Sequence, residues 1–342
     1  MLDTYRLLGR SGLRVSPLAL GTATFGNEWG WGSSPDDARR LFEIYVERGG
    51  NFIDTAASYG GSEEMLGELV RGRRPGLVLA TKYSTLRTPG DPNSGGSHRK
   101  NLFASVETSL RRLGTDHVDL LYVHVWDAST PFDEVLRGLD DLVRQGKVLY
   151  VGMSNTPAWE ISRMQAVADL RGWSSLVALQ IEYSLINRGG ERDLIPMARA
   201  LGLGVSPFSP LGGGVLSGKY SSPAADTGST RRSFNAGLGM VTERTLAIAD
   251  AVREVAVEVE RTPAQVALAW NLRQPGVTAP VIGARTPEQL QGNLGALEVS
   301  LTDEQVARLD AVSAIELGYP HDMLTGDHIR AVMSGDLKVE SR

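Results

Sequence analysis

Short apolar runs alternate with longer amphipathic stretches along almost the whole chain. The apolar runs fall near Leu18–Gly21, Phe52–Asp54, Leu77–Thr81, Leu120–Val123, Val148–Gly152, Ala178–Ile181, Gly204–Pro207 and Pro280–Ile282. Each is rich in Val, Ile and Leu and bounded by Gly, Pro or Asn, the pattern of strands buried on both faces. Helix patterns fill the intervals at Pro35–Arg48, Glu63–Arg71, Lys100–Leu113, Pro131–Gln145, Pro157–Asp169, Gly190–Ala200, Glu243–Glu260 and Pro287–Leu297, with a further one near Asp303–Ser313. Four of them open on an N-cap type residue followed by proline at the first helical position: Ser34-Pro35, Thr130-Pro131, Thr156-Pro157 and Thr286-Pro287. Ahead of the first run, Tyr5–Leu8 and Leu13–Val15 flank a glycine turn and read as a hairpin.

Eight alternations predict an α/β fold, a closed (β/α)8 TIM barrel with an N-terminal β-hairpin and long catalytic-face loops. An open doubly wound sheet commonly has fewer strands and carries phosphate-binding glycines at its first turn. No shift in composition marks a boundary, so residues 1–342 are expected to form one domain. Thr85–Ser97 and Tyr220–Val241 interrupt the rhythm after strands, where barrel loops shape the catalytic face, and they are candidate lids. The segment from Ala314 onward is a candidate cover for the barrel mouth.

Composition narrows the chemistry. An apolar content of 42% suits a globular protein, and a net charge of -5 without a basic stripe argues against nucleic acid. The chain has no cysteine, which rules out disulfides, thiolate metal sites and a cysteine nucleophile. No apolar run approaches a membrane span, and Met1–Arg6 lacks a secretory pattern, so a cytoplasmic protein is expected.

Four polar residues stand at the ends of three successive apolar runs: Asp54 and Tyr59, then Lys82, then His124. In a parallel barrel these ends open onto one face. A tyrosine hydroxyl, with an ordinary pKa of about 10, is a poor proton donor near neutrality. An adjacent ammonium stabilises its phenolate and is expected to lower that value, while a carboxylate keeps the ammonium charged and placed. Tyr59, Lys82 and Asp54 supply those groups, and His124 can orient a carbonyl oxygen, making Tyr59 a general acid in reduction and its phenolate a base in oxidation. The remaining histidines show no ligand spacing, so no metal is expected. Gly212–Lys219 looks superficially like a phosphate loop but lacks the Walker glycine spacing and the dinucleotide fingerprint.

These residues, with Gly21-Thr22, Asp54–Gly60, Thr81-Lys82, Val151–Asn155, Gln180, Phe208–Gly214 and Ile282–Thr286 with Gln289 and Asn293, carry a resemblance. The chain is similar to the aldo-keto reductases, in the branch of aryl-alcohol-dehydrogenase-like enzymes and potassium-channel β subunits. The resemblance implies NADP(H) extended across the strand ends of a barrel, and Asp54, Tyr59, Lys82 and His124 as a catalytic tetrad. It implies that Ser154, Asn155 and Gln180 hold the nicotinamide carboxamide, that Phe208 stacks on the ring, and that Ser209, Pro210, Leu211, Gly213 and Lys219 meet the pyrophosphate. Arg285 would face the adenosine 2′-phosphate, joined by Arg231 or Arg232. Gly21, Thr22, Asp54, Gly283, Gln289 and Asn293 complete the cofactor set, and Gly292 replaces an acidic residue common in relatives.

Trp29, Trp31, Tyr59, His124 and Trp126 are the expected substrate pocket, an aromatic wall suited to aryl or extended apolar carbonyls. The function expected is NADP-dependent reduction of an aldehyde or ketone to an alcohol. The alternatives are a cofactor-binding interaction subunit, and a Schiff-base lyase or aldolase acting through Lys82.

Overall fold

The computed structural model describes residues 2–26, 32–219, 240–335 and 337. A two-stranded antiparallel hairpin, β1 (Arg6–Leu7) and β2 (Arg14–Val15), precedes the parallel strands β3 (Ala19–Gly21), β4 (Phe52–Asp54), β5 (Val78–Tyr83), β6 (Val118–Val123), β7 (Val148–Ser154), β8 (Leu176–Glu182), β9 (Gly204–Phe208) and β10 (Val281–Ile282). Consecutive strands pair in parallel from β3 to β9, and β10 returns to pair with β3. The last seam is narrow. Val205 N–H donates to Gly276 O at 3.2 Å and Val205 O accepts from Thr278 N–H at 2.7 Å, so the segment just before β10 closes most of the ring against β9. The expected (β/α)8 barrel is therefore present, with several strands longer than the apolar runs indicate.

The helices are α1 (Pro35–Glu47), α2 (Ser62–Leu69), α3 (Arg99–Leu113), α4 (Phe132–Arg144), α5 (Ala158–Arg171), α6 (Leu194–Leu201), α7 (Glu243–Glu258), α8 (Pro263–Arg273), α9 (Pro287–Leu294), α10 (Asp303–Ser313), α11 (His321–Thr325) and α12 (Asp327–Ser334). Ser34 and Thr286 cap α1 and α9 as expected, accepting from Asp37 N–H and Gln289 N–H. In α4 and α5 the prolines themselves occupy the cap position, one residue later than the Thr-Pro pairing suggests. Helix α8 was not expected. Val266 to Asn271 are all buried, so its centre has no polar face to generate a period; its signal was Thr262-Pro263, completed by a capping box with Gln265.

Two apolar layers hold the barrel. Helices pack on its outside, and a smaller cluster that includes Ala19, Phe52, Val78, Ala80, Leu120, Tyr122 and Ala178 fills its inside. Leu8 and Val15 of the hairpin belong to that inner cluster and plug the N-terminal end. The plug requires glycine at position 9, where φ is +56° and a Cβ would lie 2.3 Å from Val177 O. Among the described residues, the opposite end of the barrel opens onto a cavity. No helix among the described residues is long and apolar enough to cross a membrane.

Candidate active site

At the open end, Asp54 ends β4, Lys82 lies one residue from the end of β5, and His124 directly follows β6, where its N–H continues the ladder to Tyr83 O at 2.8 Å. Tyr59 rises from the turn after β4. That turn is tied from both sides: Tyr59 N–H donates to Ala56 O, Ala57 N–H to Lys82 O, and Ser62 N–H to Tyr59 O. Ser62 Oγ reaches the Thr22 hydroxyl at 2.6 Å, and Thr22 N–H donates to Asp54 O.

Lys82 organises the group. Its Nζ lies 2.6 Å from Asp54 Oδ1, 2.8 Å from Thr55 O and 3.4 Å from the Tyr59 hydroxyl. The ammonium is fully enclosed. Burial acts to lower its pKa, but attraction to Asp54, joined by Tyr59, holds it above the ordinary lysine value. A charged, saturated ammonium is a poor nucleophile, which works against the Schiff-base alternative. Asp54 Oδ2 accepts from Gln180 Nε2 at 2.8 Å, so both carboxylate oxygens are engaged.

For Tyr59 the expected direction is reversed. Burial pushes its pKa up, Lys82 opposes and Asp54 assists, and the net value lies above the ordinary one. The hydroxyl is thus kept protonated near neutrality, with Lys82 in place to stabilise a phenolate when the proton leaves. His124 stands edge-on to Tyr59, ring centroids 6.0 Å apart at 82°. Burial, with Lys82 behind it, pushes His124 down to about 3, so the ring is neutral. Its Nδ1 is buried without a hydrogen-bond partner.

Tyr59, His124 and Asp54 border a cavity of about 800 Å³, within the size range of small-molecule and cofactor sites. Of the residues expected to hold a cofactor, Gly21, Ser154, Asn155, Gln180, Phe208, Ser209, Pro210, Leu211, Gly213, Lys219, Gly283, Arg285, Gln289 and Asn293 line it. Asn155 Nδ2 is occupied by His124 O and Ser154 Oγ, and Gln180 Nε2 by Asp54, so both amides are held in place at the cavity wall. Asn155 and Ser209, each the first residue after its strand, hold left-handed backbone at φ +47° and +50°. Gly212, Gly213 and Gly214 follow with φ of 54°, 63° and 100°, a tight turn that side chains with a Cβ rarely adopt. Arg285 forms no ion pair among the described residues. Its N–H donates to Gln289 Oε1, ahead of the capped N-terminus of α9.

Several expected site residues are placed differently. Thr22 is buried and braces the Tyr59 turn instead of lining the cavity. Lys82 acts from behind Asp54 and Tyr59, outside the lining. Trp126 does not line the cavity, and its ring packs against Trp159. Trp29, Trp31, Arg231 and Arg232 lie outside the described residues, as does most of the second candidate lid. The first lid, Thr85–Ser97, folds on itself through Arg87 N–H to Ser94 O and Gly96 N–H to Ser84 O and does not line the cavity. Just after α10, Ala314 O accepts from Arg244 and Glu316 O from Arg192, and the segment is again outside the lining. Sequence reasoning missed Thr24, Ser217, Thr262 and Ala264 in the wall. The last two mark the start of α8, whose capping signal would have found them.

A TIM barrel with a buried Asp–Lys pair against a tyrosine hydroxyl, opening on one large cleft at the strand ends, defines the architecture of a barrel oxidoreductase. Residues 17–314 match the model of the Aldo/keto reductase family, and the chain belongs to that family. Norsolorinic acid reductase stcV of Emericella nidulans is 38% identical over 333 residues, covering 94% of this chain and 84% of that protein. Aryl-alcohol dehydrogenase GME11368 of Pestalotiopsis microspora is 37% identical, with 95% and 86% covered. Aldo-keto reductase ausK of Aspergillus calidoustus is 36% identical, with 95% and 86% covered.

Proposed function

We propose that the protein is an NADP-dependent reductase of aldehydes or ketones, organised as a single barrel domain, with Tyr59 as its general acid. The observation that carries this reading is the Tyr59 hydroxyl poised 3.4 Å from a buried ammonium at the edge of the cavity. The residues present suit a dinucleotide: an orphaned His124 Nδ1 and the polar side chains of Ser154, Asn155 and Gln180 line the catalytic end, and Arg285 with the glycine turn suits an anion at the other. When bound, NADPH supplies a hydride to the carbonyl carbon. Ser154, Asn155 and Gln180 would orient its carboxamide, Phe208 would lie against the ring, and Ser209, Pro210, Leu211, Gly213 and Lys219 would border its phosphates.

The chain's own residues then handle the proton. Neutral His124 orients the carbonyl oxygen toward Tyr59, whose hydroxyl gives up its proton as charge develops on that oxygen. The phenolate left behind faces Lys82, and Asp54 keeps Lys82 charged. The relative named for aryl alcohols favours aromatic carbonyls as the substrate class.

The experiment is a panel of aromatic and aliphatic carbonyls run with NADPH and NADH in parallel, on the wild type and Tyr59→Phe. Turnover with NADPH is expected in the wild type and a loss of roughly 10²–10⁴-fold in the variant, with NADPH affinity preserved. Undiminished turnover in Tyr59→Phe removes it as the acid.

A further inference from the structure

Trp126 and Trp159 stand edge to face, ring centroids 5.8 Å apart and planes at 88°, yet they are 38% and 58% exposed. Position separates this pair from scattered surface hydrophobics. Trp126 is the second residue after His124, and its N–H donates to Asn155 O at 3.3 Å. Trp159 follows Asn155 by four residues in the first turn of α5. The backbones of both residues therefore adjoin His124 and Asn155, which line the cavity, while the two rings pack on each other outside that lining.

One helical turn beyond Trp159, Arg163 lays its guanidinium over the Phe132 ring at 3.8 Å. It is exposed and forms no ion pair among the described residues. Asp127, the carboxylate next to Trp126, is turned into its own loop, where it accepts from Ser97 N–H and the Ser129 and Thr130 hydroxyls. The shelf thus combines exposed indole surface with an uncompensated cation.

We propose that Trp126, Trp159 and Arg163 form an outer subsite for the far end of an extended substrate, a planar aromatic system bearing a carboxylate or phenolate. The inference rests on the reading of the adjoining cavity as the carbonyl-reducing site, and it names the kind of molecule that site selects. An indole face accepts a flat ring, and the guanidinium supplies a forked donor to an acidic oxygen.

The test compares benzaldehyde with a biphenyl aldehyde carrying a distal carboxylate in the wild type, Trp159→Ala and Arg163→Gln. The ratio of kcat/KM for the long aldehyde over the short one is expected to fall about tenfold in either variant, the size of one aromatic or charge contact. An unchanged ratio in both variants overturns the subsite. A second readout needs no turnover: calorimetric binding of biphenyl-4-carboxylate weakens in both variants if the subsite exists and is unchanged in both if it does not. Weakened binding in a protein that reduces neither aldehyde leaves the subsite standing and sinks the proposed function. Unchanged binding, with Trp159→Ala lowering the sedimenting mass, assigns the shelf to self-association and overturns the proposal.

Discussion

Lys82 Nζ lies 2.6 Å from Asp54 Oδ1, with both side chains shut away from solvent. Such a pair holds its place because neither charge can return to water, and its geometry is completed by Thr55 O on the lysine and Gln180 Nε2 on the aspartate. Removing one partner strands the other as a buried charge, at a cost of about 3–5 kcal/mol. Lys82→Met is therefore expected to lose roughly that much unfolding free energy, and Asp54→Asn added to it is expected to restore part of the loss. Urea unfolding of the four chains forms the cycle. Additive losses from the two substitutions would show that the pair is not coupled.

Backbone architecture was legible because strand burial leaves a direct trace in composition: each barrel strand observed overlaps an apolar run. The convergence of Asp54, Tyr59, Lys82 and His124 was legible for the same reason, since parallel strands turn sequence ends into one face. What escaped depends on side-chain direction and burial balance. Trp126 sits at a pocket-like position in the sequence, but its ring turned outward to Trp159. The net rise of the Tyr59 pKa is a contest between desolvation and Lys82 that no spacing encodes. Helix α8 was hidden because burial all round its centre, Val266 to Asn271, erased its periodicity.

Arg285 borders the cavity beside the start of α9 without an ion pair among the described residues. If it meets a 2′-phosphate, its loss will be felt by one dinucleotide and not by the other. Arg285→Ala is expected to raise the KM for NADPH by about tenfold or more, the worth of a charge-assisted contact, while the KM for NADH changes little. Initial rates at saturating carbonyl measure both. Equal rises for the two dinucleotides would place Arg285 elsewhere than on that phosphate.

His124 carries a pKa of about 3 in the folded protein against 6.5 ordinarily, because burial and then the Lys82 charge oppose a second proton on the ring. The folded chain therefore binds fewer protons at this site than the unfolded chain between those two values. Stability contributed by the site is fully present above pH 6.5 and is lost as pH falls through that window, with a slope approaching about 1.4 kcal/mol per pH unit. Replacing the ring with an amide removes the titration, so His124→Gln is expected to flatten the pH dependence between 4 and 6 relative to the wild type. Urea unfolding at pH 4, 5 and 6 measures the two slopes directly. Identical slopes would mean that His124 titrates alike in both states, and burial with Lys82 would not be what keeps the ring neutral.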